Sequence, residues 1–203
     1  MPPALVPREE VIDRLMSVLR RTGYDGASLA ELSKATGLGK SSLYHHFPAG
    51  KDDMVRAVLD QLETQLTATV FAPLRVAGDA HDRLTTMTAA LDTFYAQGNE
   101  SCVLAQLVLG TTRDRFREQL TRIFTEWTGA IARVLTDAGL SRALARRRAE
   151  DAVLRVEGAL VVAGGLDDEG VFARTLQSLP DDLLAPGVGP RARTAKKTAR
   201  AKR

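Results

Sequence analysis

Between Ser28 and Pro48 this chain has room for only two short helices joined by a tight turn. Ser28-Leu29-Ala30-Glu31 is a capping-box pattern: the serine hydroxyl can accept from the Glu31 amide while the glutamate reaches back. The helix it opens is expected to end near Thr36. Gly37-Leu38-Gly39 then turns the chain, and Gly37 can take the positive φ that a sharp turn often demands. A second short helix is expected from Lys40 to about His46, with Pro48 discouraging its continuation. A longer amphipathic helix precedes both. Pro7, Arg8, Glu9 and Glu10 form its start, with acids at the positive end of the dipole. Val11, Ile12, Leu15, Met16 and Leu19 fall on one face, and Gly23 is expected to stop it. Leu29, Leu32, Leu38 and Leu43 can meet that face in one small core, with the small Ser33 at the crossing. Three helices with a glycine turn between the last two are the layout of a helix-turn-helix unit.

The remaining pattern is also helical. A long helix is expected to open at Gly50-Lys51-Asp52-Asp53, run through Leu66 and end before Pro73. Further helices are marked by Leu84 to Tyr95, closed at Gly98-Asn99, by the short apolar run Cys102 to Leu109, and by Phe116 to Leu135, closed at Gly139. Ala143 to about Leu166 is another, and Val171 to Leu179 is the last, stopped by Pro180. No stretch alternates Val, Ile and Thr as a strand-rich domain would. The reading is an all-α protein.

The net charge of +3 conceals an asymmetry. Arg191 to Arg203 carries seven basic residues and no acid, leaving 21 basic against 25 acidic residues in the rest, a net of −4. The basic balance therefore belongs to the tail and says nothing for a basic folded body. Cys102 is the single cysteine, so an intramolecular disulfide is excluded and a reducing compartment is expected. The first residues lack a charged start and a long apolar run, and no segment approaches the ~20 apolar residues of a membrane span. A cytoplasmic chain with no membrane partner is expected.

The second short helix offers Lys40, Ser41, Ser42, Tyr44, His45 and His46 with no acid among them. Lysine supplies charge, serine a short adaptable donor, and tyrosine a hydroxyl with reach, which suits phosphates and base edges. Ser28 and Lys51 lie at flanking helix N-termini, where free amides favour phosphate. Ser28 through Val55 (SLAELSKATGLGKSSLYHHFPAGKDDMV) resembles the N-terminal domain of the tetracycline-repressor (TetR) family, most sharply over Gly39 to Phe47 and Lys51. Cys102 to Leu109 and Phe116 to Leu166 look like the subgroup of repressors typified by LmrA. The resemblance implies a helical homodimer with Lys40, Ser41, Ser42, Tyr44 and His46 facing double-stranded DNA, and Ser28 and Lys51 holding phosphates. It implies an N-terminal three-helix helix-turn-helix domain, residues 1–50, then a larger helical ligand-binding and dimerisation domain, residues 51–185. The basic tail, residues 186–203, is expected to be disordered in isolation and falls outside the family pattern.

Each sharp reading has a plainer rival. Gly39-Lys40-Ser41 resembles the end of a phosphate-binding loop, but the glycine required five residues earlier is Lys34 and the preceding segment is helical. His45 and His46 point about 100° apart on a helix and cannot readily share a metal ion, so no metal site is expected. Cys102 is a redox switch or, more often in such a setting, buried packing. Phe94, Tyr95, Phe124 and Trp127 either line an effector cavity or fill the core. Glu157, an acid within an apolar helix, is a paired core residue or a ligand anchor, with pairing slightly favoured. Phe94, Cys102, Gln106, Trp127 and Glu157 are the candidate effector residues. Gly158, Gly164 and Gly165 lower helix propensity by roughly 1 kcal/mol each relative to alanine, a cost that close helix approach can offset. Val153 to Leu166 with Val171 to Leu179 is thus the candidate dimer face, with intramolecular packing as the alternative. The tail either adds nonspecific DNA affinity or is a solvated end. No nucleophile–base pair or cofactor loop is visible, so neither an enzyme nor a cofactor is expected. The remaining rival is an architectural protein that coats DNA through its tail.

Overall fold

The computed structural model describes residues 6–186, and the readings made for residues 1–5 and for the tail beyond residue 186 lie outside that range. Among the described residues there are helices and no strand. The order is α1 (Arg8–Gly26), α2 (Leu29–Thr36), α3 (Lys40–His46), α4 (Lys51–Leu66), a π-helical turn (Thr67–Phe71), α5 (Ala72–Arg75), α6 (Ala80–Phe94), α7 (Val103–Leu109), α8 (Arg117–Asp137), α9 (Arg142–Leu166) and α10 (Gly170–Leu184). Short 3-10 turns at Ala96–Gly98 and Arg113–Phe116 lie before α7 and α8. No described helix is long and apolar enough to cross a membrane.

Helix α1 buries Val11, Ile12, Leu15, Met16, Val18 and Leu19. That face packs on α2, α4 and α7, so α1 belongs to the small N-terminal group and touches the larger one. The larger group packs α8 on α9, α9 on α10, and α10 on α6. Trp127, Tyr95, Phe71, Phe116 and Phe172 are its largest fully buried side chains. Arg83 fastens one end of the group: its guanidinium is bonded to Asp137 at 3.0 Å and donates to the Leu74 carbonyl, closing the C-terminus of α5.

Three helix ends depart from the sequence expectation. Gly23 breaks α1 with φ 62° and ψ −170°, yet a last helical turn resumes and reaches Gly26. Pro73 does not end the long helix. The π turn shifts the bonding register, with the Ala72 amide donating to the Thr67 carbonyl. Pro73 then falls in the first turn of α5, where its missing N–H costs little, and the helix stops at the extended Val76. Pro180 lies inside α10. Losing one helical hydrogen bond costs ~3 kcal/mol, but Leu176, Leu179, Pro180 and Leu183 are all buried, and Arg148 caps the Leu183 carbonyl. Tertiary burial carries the helix past its breaker.

The turn after α6 depends on Gly98. Its φ is +95°, and a Cβ built there would fall 2.9 Å from the Phe172 Cβ. Gly98→Ala is expected to combine backbone strain of ~1–3 kcal/mol with displacement of Phe172, giving a lower unfolding midpoint in thermal denaturation. An unchanged midpoint would show that the turn relaxes freely.

Candidate functional site

The turn between α2 and α3 is held by side chains. Ser28 and Glu31 form both halves of the capping box at the start of α2. Gly37 is left-handed, with φ 72°. Ser33 Oγ donates to the Leu38 carbonyl at 2.6 Å, Thr36 Oγ1 donates to the Leu32 carbonyl at 2.8 Å, and Thr36 Oγ1 accepts from the Leu38 amide at 3.3 Å. Arg14 of α1 donates to the Thr36 carbonyl at 2.9 Å. At the far end of α3, Arg8 donates to the His46 carbonyl at 3.1 Å and lies 4.8 Å from the Phe47 ring centre. Two arginines of α1 thus satisfy helix-terminal carbonyls that would otherwise lack partners.

Within α3 only Leu43 is buried. Lys40, Ser41, Ser42, Tyr44 and His45 are exposed, with Tyr44 at 49%, and His46 is half-buried. One apolar side chain anchors the helix while its polar residues share a solvent face. The two flanking candidates are differently engaged. The Ser28 hydroxyl is committed to its cap, accepting from Glu31 N at 3.2 Å. Lys51 donates to the carbonyls of Tyr24 at 2.8 Å and Ala27 at 3.0 Å, and its ammonium sits 4.1 Å from the centre of the Tyr24 ring. It ties the end of α1 to the start of α4 with two of its three donors.

A cluster that sequence reading did not find surrounds that junction. Tyr24 Oη donates to Asp52 at 2.5 Å, and Arg115 donates to the Tyr24 hydroxyl at 3.2 Å and to Asp52 at 3.2 and 3.3 Å. Thr111 Oγ1 donates to Asp25 at 3.0 Å. The Tyr24 hydrogen bond is the chief influence holding the Asp52 carboxyl below its usual range, with Arg115 acting in the same direction. These partners are up to 91 residues apart. Nothing local in the sequence marks them, because loop residues of ordinary type supply every contact from the larger group.

The candidate effector residues divide. Trp127 is fully buried, its Nε1 has no partner, and its ring lies 6.4 Å from that of Phe71. Gln106 on α7 faces Gly23 of α1. Phe94, Cys102 and Glu157 gather around Tyr95. The Phe94 and Tyr95 rings meet edge to face at 5.1 Å, and Tyr95 Oη donates to Cys102 Sγ at 3.4 Å. Cys102 is buried, and burial followed by the charge of Glu157 pushes its thiol pKa up, opposite to what a reactive cysteine needs. Glu157 corrects the expectation of pairing: both carboxyl oxygens are buried and neither has a hydrogen-bond partner. No cation is available to it on α9 itself, since the neighbouring Arg155 is bonded to Ser178 and Asp182 of α10.

Comparison with known proteins matches these two groups of helices. Residues 11–58 match the family described as "Bacterial regulatory proteins, tetR family". Residues 79–178 match "Transcriptional regulator LmrA/YxaF-like, C-terminal domain". The transcriptional regulator LmrA of Bacillus subtilis is 20% identical over 180 residues, covering 87% of this chain and 96% of its own. A TetR transcriptional regulator from Legionella pneumophila has the same fold, with a TM-score of 0.76 at 19% identity, covering 88% of this chain and 98% of its own. The regulator FadR of Bacillus subtilis, solved with stearoyl-CoA, superimposes with a TM-score of 0.69 at 15% identity, covering 88% and 98%. The chain belongs to the tetR family of bacterial regulatory proteins, DNA-binding transcriptional regulators and not enzymes, and its C-terminal domain is of the LmrA/YxaF-like kind.

Proposed function

We propose that this chain is a ligand-responsive repressor that binds a palindromic operator as a homodimer in the cytoplasm and is released by a small hydrophobic or aromatic effector. The observation that carries the reading is α3: one buried leucine, Leu43, beneath an exposed polar face without acids. Lys40, Ser41, Ser42, Tyr44, His45 and His46 enter the major groove and its rim. Ser28 and Lys51 flank them at helix N-termini, Lys51 with its one uncommitted donor. Residues 1–50 form the reading head and residues 51–185 the effector and dimer domain. Two heads of a symmetric dimer then read half-sites about 34–36 Å apart, or a multiple of that distance.

The dimer reading rests on α9. Leu154 is 71% exposed, Val161 64%, Val162 47% and Leu166 65%. Gly158 and Gly165 share the stripe with Leu154 and Val161 at helical spacing, and nothing lies within 4 Å of where their Cβ atoms would be. A bare apolar helix face with glycines at its centre suits close packing against a second copy. The effector reading rests on the buried aromatic side chains of the larger group and on Glu157. FadR, of the same fold, holds a ligand with a long apolar chain.

Two substitutions test this. Lys40→Ala should weaken binding to a selected operator and lower the slope of log affinity against log salt by about 1 if the lysine neutralises a phosphate. Fluorescence anisotropy across a salt series measures it, and an unchanged slope removes Lys40 from the phosphate contacts. Val161→Asp should convert the dimer into a 22.0 kDa species in sedimentation and weaken operator binding. Val161 is exposed in the single chain, so this change leaves the protomer core intact. A dimer that survives it places the interface elsewhere.

A further inference from the structure

Glu157 stands on α9 between the buried face of that helix and the exposed stripe of Leu154, Gly158 and Val161. Its two oxygens are sealed from solvent with no well-formed hydrogen bond, and only the weak thiol donor of Cys102 acts on them. A carboxylate in that position is costly unless a positive group meets it, and truncated or absent partners leave the full desolvation penalty. The charge is close to Tyr95 and Cys102. Burial first, then Cys102 and Glu157, push the Tyr95 hydroxyl pKa well up. Burial likewise raises the Glu157 carboxyl, with only the Cys102 thiol acting the other way.

The surroundings are aromatic. Tyr95 meets Phe94 at 5.1 Å and Phe172 at 6.0 Å, both edge to face. The cation that acts on Tyr95 and Cys102 is Arg20 of α1, which is paired with Glu100 and lies 5.3 Å from the centre of the Phe94 ring. Its charge is met by Glu100 although its Nε is buried without a partner, and no cation acts on the Glu157 carboxyl. Arg20 also lines a surface cleft with Ser17, Arg21, Asn99, Glu100 and Ser101, directly above the chain segment that carries Cys102.

We propose that the effector is a hydrophobic cation, its positive charge seated against Glu157 and its apolar body among Phe94, Tyr95 and Phe172. This rests on the effector-responsive reading given above and sharpens its ligand class. A buried carboxylate beside aromatic rings attracts a cation twice, through charge and through the ring quadrupoles. The same arrangement repels an anion of equal shape. An apolar body seated beside Phe94 also moves the surface on which Arg20 of α1 rests, so occupancy reaches the reading head through α1.

The test uses the full-length chain, wild type and Glu157→Gln, with tetraphenylphosphonium and tetraphenylborate as ions of one shape and opposite charge. Neutral Nile red reports the proposed apolar binding region in both proteins. Tetraphenylphosphonium should bind the wild type and displace Nile red. It should bind at least tenfold more weakly to Glu157→Gln, which still takes up Nile red. Tetraphenylborate should bind the wild type at least tenfold more weakly than its cationic twin. The wild-type comparison stands even if the variant does not fold. Equal binding of the two ions to the wild type, equal binding of the phosphonium to both proteins, or no phosphonium binding beside normal Nile red uptake overturns the cation while leaving the effector cavity. No uptake of Nile red, with operator binding unmoved by any of the three compounds, overturns the cavity and the cation together.

Discussion

Helix α1 has to satisfy two groups of helices at once. Its apolar face, from Val11 to Leu19, is buried against α2, α4 and α7. Its arginines then reach outward in order. Arg8 closes the end of α3, Arg14 closes the end of α2, and Arg20 rests on Phe94 of α6. Near its own end, Tyr24 and Asp25 receive Arg115 and Thr111 from the segment between α7 and α8. A seven-residue helix such as α3 cannot hold itself in water. It persists because Leu43 is buried and because Arg8 of α1 supplies a partner for its last carbonyl, that of His46. The geometry of the reading head is thus a property of α1.

In the proposed function the same helix would provide the physical link between effector and DNA. A ligand can shift an equilibrium only by its differential affinity for the two states. Here the two regions share short-range contacts that a rearrangement would have to remake: Gln106 against Gly23, Arg20 on Phe94, and Arg115 with Tyr24 and Asp52. The ion pairs from α8 to α4, such as Arg122 with Glu63, are more exposed and contribute little to holding the groups together. The π turn at Thr67–Phe71 lies in the helix that runs on from the head, and Phe71 there meets Trp127 of α8. In the proposed function a disturbance of Trp127 would act on α4 through a segment whose hydrogen-bond register is already irregular.

What could be read from sequence was whatever local chemistry decides. The Ser28–Glu31 box, the left-handed Gly37 and the limits of α2 and α3 depend on neighbours within a few residues, and they lie where the pattern placed them. The family resemblance through Ser28 to Val55 was legible for the same reason. Pro73 misled because the π turn ahead of it shifts the register and leaves it in a first turn, and Pro180 because its cost is overcome by remote packing that no local rule contains. Glu157 misled differently. Pairing is the common fate of a buried acid, and the absence of a partner is visible only once α6, α9 and α10 are assembled. The Tyr24–Asp52–Arg115 cluster joins three distant segments and has no signature in any of them. The glycines of α9 pointed sequence reading to a dimer face across Val153–Leu166 and Val171–Leu179; α9 carries an exposed apolar stripe there, while Phe172, Leu176 and Leu179 of α10 are buried within the protomer.

The account stands on α3 entering a major groove, and a tethered cleavage reagent addresses that directly. An iron chelate attached at Ser42→Cys would react at an exposed site, because the native Cys102 is buried. Bound to DNA selected by the protein from a random pool, it should cut at two centres related by a dyad, about 34–36 Å apart or a multiple of that, with the strand offset of major-groove cleavage. Diffuse cutting along the duplex, or cutting with a minor-groove offset, would contradict the account.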